Sequence, residues 1–519
     1  MDLPHRARFH AAIAIAAIAA LALLASPALA VVIQTPQGRV GYLPLKGEGP
    51  PGPSRLNAFG NLDYHGGPVM HSNAEYAIYW DPTGSAFPAG YTAAVTKYLE
   101  DVAADSGKPT NVYSVGTQYT DSSGAHAAYG TTFGGAVNDS DAYPASGCPN
   151  YGGFSRCLTE AQIVSELNSF LAAHSLPRGL TTYYLLFLPD GVGSCFTSNL
   201  NSGCFDRSGG YCAYHDFAGS ASNPLLFANQ SFAPRDPFGC GTRQYPNGHA
   251  NGNVDDELSS VSHEANEMIT DPVLNAWWNS VTGEENGDQC RLTSDDFGPP
   301  LGGSPGSFFN QLINGTGYYL QQEWSNAVTR CEQRYALSGS ASGPSSGVVG
   351  KPQSFSATAS DGEGGTITGI SWSFGDGGGA GGPTATHTYT APGTYRVTAQ
   401  ISNGTGLTAT AAAPALTIRR PSNSFSFGHV KLNRKKGTAK LPTRVPNPGS
   451  LKLRGKGLAR QRRAAGSGGT FTLLVKPKGK VKRTLDKKGK VVVKAKVTYT
   501  PNFGLPNTKA KRLKLVKRG

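Results

Sequence analysis

Every cysteine of the 519-residue chain falls in one stretch: Cys148, Cys157, Cys195, Cys204, Cys212, Cys240, Cys290 and Cys331. An even number of cysteines confined this way cross-links a single domain and leaves the flanking segments to fold by burial alone. Disulfides persist in oxidising compartments, and the start of the chain agrees with export. His5, Arg6 and Arg8 precede an apolar run over 11–24, and Ala28, Leu29 and Ala30 have the small-x-small form that signal peptidase cleaves. Residues 1–30 therefore read as a signal peptide. No later stretch is long and apolar enough for a bilayer span, so the expected location is secreted, with attachment to a cell surface open. Proximity and segment order pair Cys148 with Cys157 and Cys290 with Cys331. A cysteine-ligated zinc is the rival use, but no CxxC pair occurs.

Charge divides the chain a second time. Residues 419–519 hold 30 Lys/Arg against one acid, Asp486, a net of +29. The remainder has 17 basic and 33 acidic residues, a net of −16, and the two sum to the overall +13. Such a basic block invites a nucleic-acid reading. Export opposes it, and Phe425, Phe427, Phe471, Tyr499 and Phe503 are too few for a stacking platform. An anionic cell-wall polymer or surface is the expected partner.

Residues 31–60 are rich in Pro and Gly and read as a linker or pro-segment. From 61 to 335 the pattern is globular and α/β. AEYAIYWDP (74–82) and TTYYLLFLPDG (181–191) read as strands. GYTAAVTKYLEDVAADSG (90–107) reads as a helix with Ala93, Val95, Tyr98, Leu99 and Val102 facing inward. TEAQIVSELNSFLAAHSL (159–176) reads as a second helix, N-capped by Thr159. Residues 336–347, with SGSASGPSSG, read as a flexible joint.

Residues 348–418 carry short β segments at regular spacing, the pattern of a small sandwich. Trp372-Ser373-Phe374-Gly375-Asp376-Gly377, then His387-Thr388-Tyr389 and Pro392-Gly393-Thr394-Tyr395, resemble the WxFGDG and HxY…PGxY motifs of PKD domains. That resemblance implies an Ig-like β-sandwich, with Trp372 and Tyr395 as core residues. Residues 419–519 read as a second all-β domain. In VVVKAKVTYT, Val491, Val493, Ala495, Val497 and Tyr499 face one way, while Lys494, Lys496, Thr498 and Thr500 share the other face with Val492. It is similar to basic C-terminal modules of some secreted actinobacterial proteins.

The chemistry concentrates in NVDDELSSVSHEANEMITDP (253–272). Asn253 is a possible N-cap, and Asp255, Asp256 and Glu257 place negative charge in the first turn. Leu258, Val261, Ala265, Met268 and Ile269 form one stripe, and Pro272 ends the helix. His263 and Glu267, four apart, share another face, with Glu264 beside them. Zinc accepts carboxylate as well as imidazole ligands. A third ligand is expected from GEENGDQC (283–290): Glu285 first, Asp288 second, with His215 or Asp271 as outsiders and Asp271 expected to cap the helix end. Charged residues of this kind on a helix are often only a solvated face. The acidic loop at a suitable distance is what raises the metal reading.

HExxExxTDP over 263–272, Trp277/Trp278 and ExGDxC over 285–290 resemble a group of bacterial secreted zincin-like proteins. YHGGPVM (64–70) and AIYWDP (77–82) look distantly like the plant exordium/phosphate-induced family. The resemblance implies a metallopeptidase-like fold and a secreted zinc-dependent hydrolase acting on a protein or peptide. Water would be activated by zinc and Glu264, with Tyr214, His215 or His249 as unranked oxyanion donors. The alternative is a non-catalytic adhesion or cell-surface binding protein that keeps the zincin-like shell.

Overall fold

The computed structural model describes residues 32–35, 38–46, 60–201, 203–291 and 296–518. The signal-peptide reading of 1–30 lies outside them. Among the described residues no helix is long and apolar enough to cross a membrane. The chain divides into two compact units, one built mainly on residues 1–337 and one holding most of 338–519.

The first unit is organised on a seven-stranded mixed sheet. Its strands are β1 (Val32–Thr35), β2 (Gly38–Pro44), β3 (Asn73–Trp80), β4 (Thr131–Asp139), β5 (Thr182–Phe187), β6 (Tyr211–Ser220) and β7 (Asn223–Gln230), in the order β1-β2-β6-β7-β5-β3-β4. From β7 to β4 neighbours run parallel; β1, β2, β6 and β7 pair antiparallel. Parallel neighbours need a crossover. Helices α1 (Tyr91–Ala104), between β3 and β4, and α2 (Glu160–His174), between β4 and β5, lie on those connections. In α1 the buried set is Tyr91, Val95, Tyr98, Leu99, Asp101 and Val102. Ala93, expected inside, is exposed, because the inner stripe runs through Tyr91 and Val95, one turn apart, and Ala93 lies midway between them on the opposite face. The Thr159 cap is present: Gln162 Oε1 accepts from its backbone N–H at 3.0 Å, closing a capping box.

The segment at 31–60 is not wholly a linker. Its residues 38–44 form β2, and Gly41 stands opposite His215 on β6. Pro and Gly content signalled an irregular segment, but the edge of β6 offers unpaired backbone groups that an extended chain satisfies.

One buried carboxyl in this sheet has a measurable consequence. Glu75 on β3 is fully buried and accepts from the Tyr183 hydroxyl at 2.9 Å, and burial pushes its pKa up to about 8. The folded state therefore keeps the proton. The stability this brings is complete below the unfolded value of 4.5 and is lost as pH rises through about 8. The loss amounts to roughly 5 kcal/mol at about 1.36 kcal/mol per unit. Glu75→Gln is expected to flatten that decline, read as denaturant midpoints at pH 5 and pH 8.

The second unit has two separate apolar cores. One gathers Phe355, Trp372, Phe374, Tyr389 and Leu416; the other gathers Leu441, Leu453, Leu473, Val497 and Tyr499. Around the first, Leu337–Ser342, Pro352–Asp361 and Thr384–Thr388 form one sheet, and Gly379–Gly381, Ile367–Ser373, Thr398–Asn403 and Thr408–Ala412 another. Trp372 is buried as expected, but Tyr395 only packs partly against the core, and Tyr389 fills the centre. The joint expected at 336–347 is also corrected: Leu337–Ser342 and Ser346–Val348 are strands. Its small residues reflect close packing. A Cβ on Gly339 would collide with Ile401 and one on Gly343 with Phe355. Around the second core, Lys490–Pro501 shows the expected alternation, with Val493, Ala495, Val497 and Tyr499 buried and Val492 exposed. The helix Gly479–Lys488 in this all-β domain was not expected from the sequence.

Candidate metal centre

The central element of the first unit is α3 (Asp255–Thr270), and all of its residues are buried. A helix this polar, enclosed on every side, must have its charges matched within the protein. Its first turn does so through the backbone and side chains around it. Glu257 Oε2 accepts from Ala233 N–H (2.8 Å), and Asp256 Oδ1 accepts from Thr242 and Arg243 N–H (both 2.8 Å). Asn253 does not cap the helix with its side chain; its Oδ1 faces His249 Nδ1 at 2.8 Å instead. At the far end Asp271 plays its expected part, with Oδ1 accepting from Asn275 and Ala276 N–H at 2.6 and 2.7 Å.

Two turns into the helix the matching stops. His263 Nε2 lies 3.1 Å from Glu267 Oε1 and 3.5 Å from Asp288 Oδ1. On the other side of Glu267, His215 Nδ1 lies 3.1 Å from Glu264 Oε2 and 3.5 Å from Glu267 Oε2, and its Nε2 is 3.6 Å from Glu285 Oε2. His215 arrives on β6, which α3 crosses, and the loop bearing Glu285 and Asp288 runs into the short helix α4 (Asp288–Arg291). That loop is pinned twice. Asp288 N–H donates to Glu267 Oε1 at 3.1 Å, and Cys290 is bonded to Cys331.

All six side chains are fully buried. Both His Nε2 atoms, Glu264 Oε1, Glu267 Oε2, both oxygens of Glu285 and Asp288 Oδ1 make no hydrogen bond of good geometry, the 3.1 Å approach of His263 Nε2 to Glu267 Oε1 included. Burial raises the carboxyl pKa of Asp288 to about 8 and that of Glu285 well above the usual range. For Glu267 burial works upward too, but His263 and His215 outweigh it and bring the value to about 2. Burial alone would lower both histidines; the carboxylates around them lift both well above the ordinary value.

The donor set fits a first-row divalent ion such as zinc, which takes imidazole and carboxylate ligands. Glycines leave room for the donor side chains themselves: a Cβ on Gly287 would come within 2.6 Å of His263 Nδ1, and one on Gly41 would run into Glu285 and His215. The ring of His263 is oriented by Gln321, whose Nε2 donates to Gly287 O at 2.6 Å and sits 3.1 Å from Nδ1.

The structure thus brings His263, Glu264, Glu267, Glu285 and Asp288 together, but it reverses the expected ranking: Asp288 groups with His263 and Glu267, while Glu285 faces His215, because the loop carries the two carboxyls to opposite sides of Glu267. His215, ranked as an outsider, is in the cluster. Tyr214, next to it on β6, points to the opposite face, into rings that include Phe196, Tyr211 and Phe227. His249 lies away on an exposed loop position against Tyr245. Glu323 was missed. It is fully buried, both its oxygens lack partners, and burial raises its pKa well above the ordinary value. The alternation of Gln321 and Glu323 was the only available sign. All eight cysteines are consumed in disulfides, Cys148–Cys157, Cys195–Cys204, Cys212–Cys240 and Cys290–Cys331, so thiolate ligation is excluded and both expected pairs are found.

Comparisons with known proteins add the following. Protein EXORDIUM-like 3 of Arabidopsis thaliana is 24% identical over 319 residues, covering 53% of this chain and 84% of that protein. Two solved structures are similar over parts of the chain. The PKD domain of an M14-like peptidase from a Thermoplasmatales archaeon is 22% identical, covering 15% of this chain and 91% of its own, with a TM-score of 0.14. The fibronectin(III)-like modules of Clostridium thermocellum CbhA are 11% identical, covering 35% and 95%, with a TM-score of 0.15. The PKD domain family matches residues 339–418, where the WxFGDG and PGxY motifs stand, and that part of the chain is a PKD domain.

Proposed function

We propose that the chain is an extracellular, non-catalytic surface-binding protein whose α/β domain is built around a buried divalent-cation centre, with the PKD and lysine-rich domains serving attachment. The observation that carries this reading is enclosure: His215, His263, Glu264, Glu267, Glu285 and Asp288 are all at 0% exposure, with β2 laid along β6 beside them. A centre closed to water stabilises a fold and admits no substrate. The purified chain is expected to retain cation through gel filtration and to leave a casein or peptide library intact.

One observation favours a peptidase as the second reading. Glu264 stands beside His263 with Oε1 free of any hydrogen bond, the position of a general base. A cation bound there would supply Lewis-acid polarisation, and Glu264 would take the proton. Chelator-sensitive cleavage that disappears in Glu264→Gln would establish this reading over the first.

Attachment is assigned to the lysine-rich domain. A groove of about 930 Å³ is lined by Lys431, Arg434, Lys436, Lys440, Lys476 and Lys482 among others. Affinity for a polyanion such as dextran sulfate is expected to fall about tenfold or more between 0.05 and 0.5 M salt. The paired reversal Lys436→Glu with Lys440→Glu should weaken it further at low salt. Binding unchanged by salt would remove the electrostatic account.

A further inference from the structure

We infer that the α/β domain holds two divalent cations side by side, sharing the Glu267 carboxylate between them. The inference rests on the metal-centre reading above and extends it from one ion to two.

The donors fall into two sets of three. His215, Glu267 and Glu285 form one, and His263, Glu267 and Asp288 the other; within each set the ligand atoms lie within 4.8 Å of one another. Glu267 is the common member, and its two oxygens are divided. Oε1 approaches His263 Nε2 at 3.1 Å, and Oε2 lies 3.5 Å from His215 Nδ1, with His215 Nε2 turned to Glu285 at 3.6 Å. A carboxylate with one oxygen turned toward each set is a bridge.

Orphaned atoms decide the number. His215 Nε2 and both oxygens of Glu285 lack partners in the first set, as do His263 Nε2 and Asp288 Oδ1 in the second. A buried polar atom without a partner is destabilising, and more so if charged. A single cation in either set leaves the imidazole nitrogen and carboxylate of the other set unsatisfied. Charge points the same way. With both histidines neutral, ionised Glu264, Glu267, Glu285, Asp288 and Glu323 sum to five negative charges. One dication leaves three uncompensated in a dry interior; two dications leave one.

The surroundings are duplicated as well. Gly41 stands where a side chain would intrude on Glu285 and His215, and Gly287 where one would intrude on His263 and Glu267. Each histidine also has a positioning partner at Nδ1. Glu264 lies 3.1 Å from that of His215, and Gln321 lies 3.1 Å from that of His263. Glu264 can accept from the Nδ1–H of His215, the usual support for a histidine that ligates through Nε2, while the Gln321 amide N–H faces Nδ1 of His263 and fixes the position of that ring.

The test counts metal. The full chain is stripped with chelator, reloaded with zinc or manganese, gel-filtered and analysed by elemental mass spectrometry. Two equivalents are expected, falling to one in Glu285→Gln, to one in Asp288→Asn and below one in Glu267→Gln, with circular dichroism checking the fold. The manganese-loaded wild-type chain supplies a readout that needs no variant: a spin-coupled pair broadens or removes the six-line resonance of an isolated ion. One equivalent with an isolated-ion spectrum overturns the pair and leaves the single-ion centre standing. No retained metal overturns both. Two equivalents that survive unchanged in Glu285→Gln and Asp288→Asn also overturn the assignment.

Discussion

Stripping divalent cations from the chain at pH 8 should lower the melting temperature of the α/β domain by roughly 10 °C. An ion present at a thousand times its dissociation constant adds about 4 kcal/mol to the folded state. A domain of this size shifts by about 2–4 °C per kcal/mol. The direction follows from chemistry already described: without cations, Glu264, Glu285, Asp288 and Glu323 sit in an enclosed space with oxygens that nothing satisfies. Protons compete with the cation for these carboxylates and for the two histidines, so the chelator effect should shrink between pH 8 and pH 5. Differential scanning calorimetry measures it, and the transitions of the PKD and lysine-rich domains provide the internal reference. An α/β transition indifferent to chelator would remove the metal centre altogether.

Replacing Cys290 and Cys331 together by serine should cost about 4 kcal/mol of stability, on the chain-entropy estimate for a loop of that length. The closed loop spans a sequence separation of 41 residues. It also ties the Glu285–Asp288 loop to the hairpin of Glu323–Ser325 with Arg330–Glu332. The effect on metal should therefore exceed that of opening Cys148–Cys157, whose separation is 9 and which lies outside the donor loop. Equilibrium unfolding in urea and retained metal per chain report the two losses separately. Equal metal loss from both disulfide variants would deny Cys290–Cys331 its role in holding the donors.

The helix at the centre was legible because its information is local. His263, Glu264 and Glu267 follow from the 3.6-residue repeat, and the acidic loop followed closely enough to be searched. His215 was not legible as a member of the cluster, since which strand lies against α3, and in which register, is settled only by packing of the whole sheet. The same holds for Gly41, whose segment had the composition of a linker and the position of a strand. At 337–348, small residues demanded by Ile401 and Phe355 looked like flexibility. In the basic domain the two-residue alternation of 490–501 was read correctly, because burial on one face needs nothing beyond the strand itself.

The pairing of β2 with β6 also has a kinetic meaning. With Gly41 lying against Glu285 and His215, an ion captured there would be covered by that pairing. Its release then waits on local opening of the edge strand, and ligand exchange at the ion ceases to set the pace. Isotope exchange of bound metal and hydrogen exchange at the β2–β6 amides should share one rate and one temperature dependence. The centre would behave as a clock for the breathing of the sheet's edge.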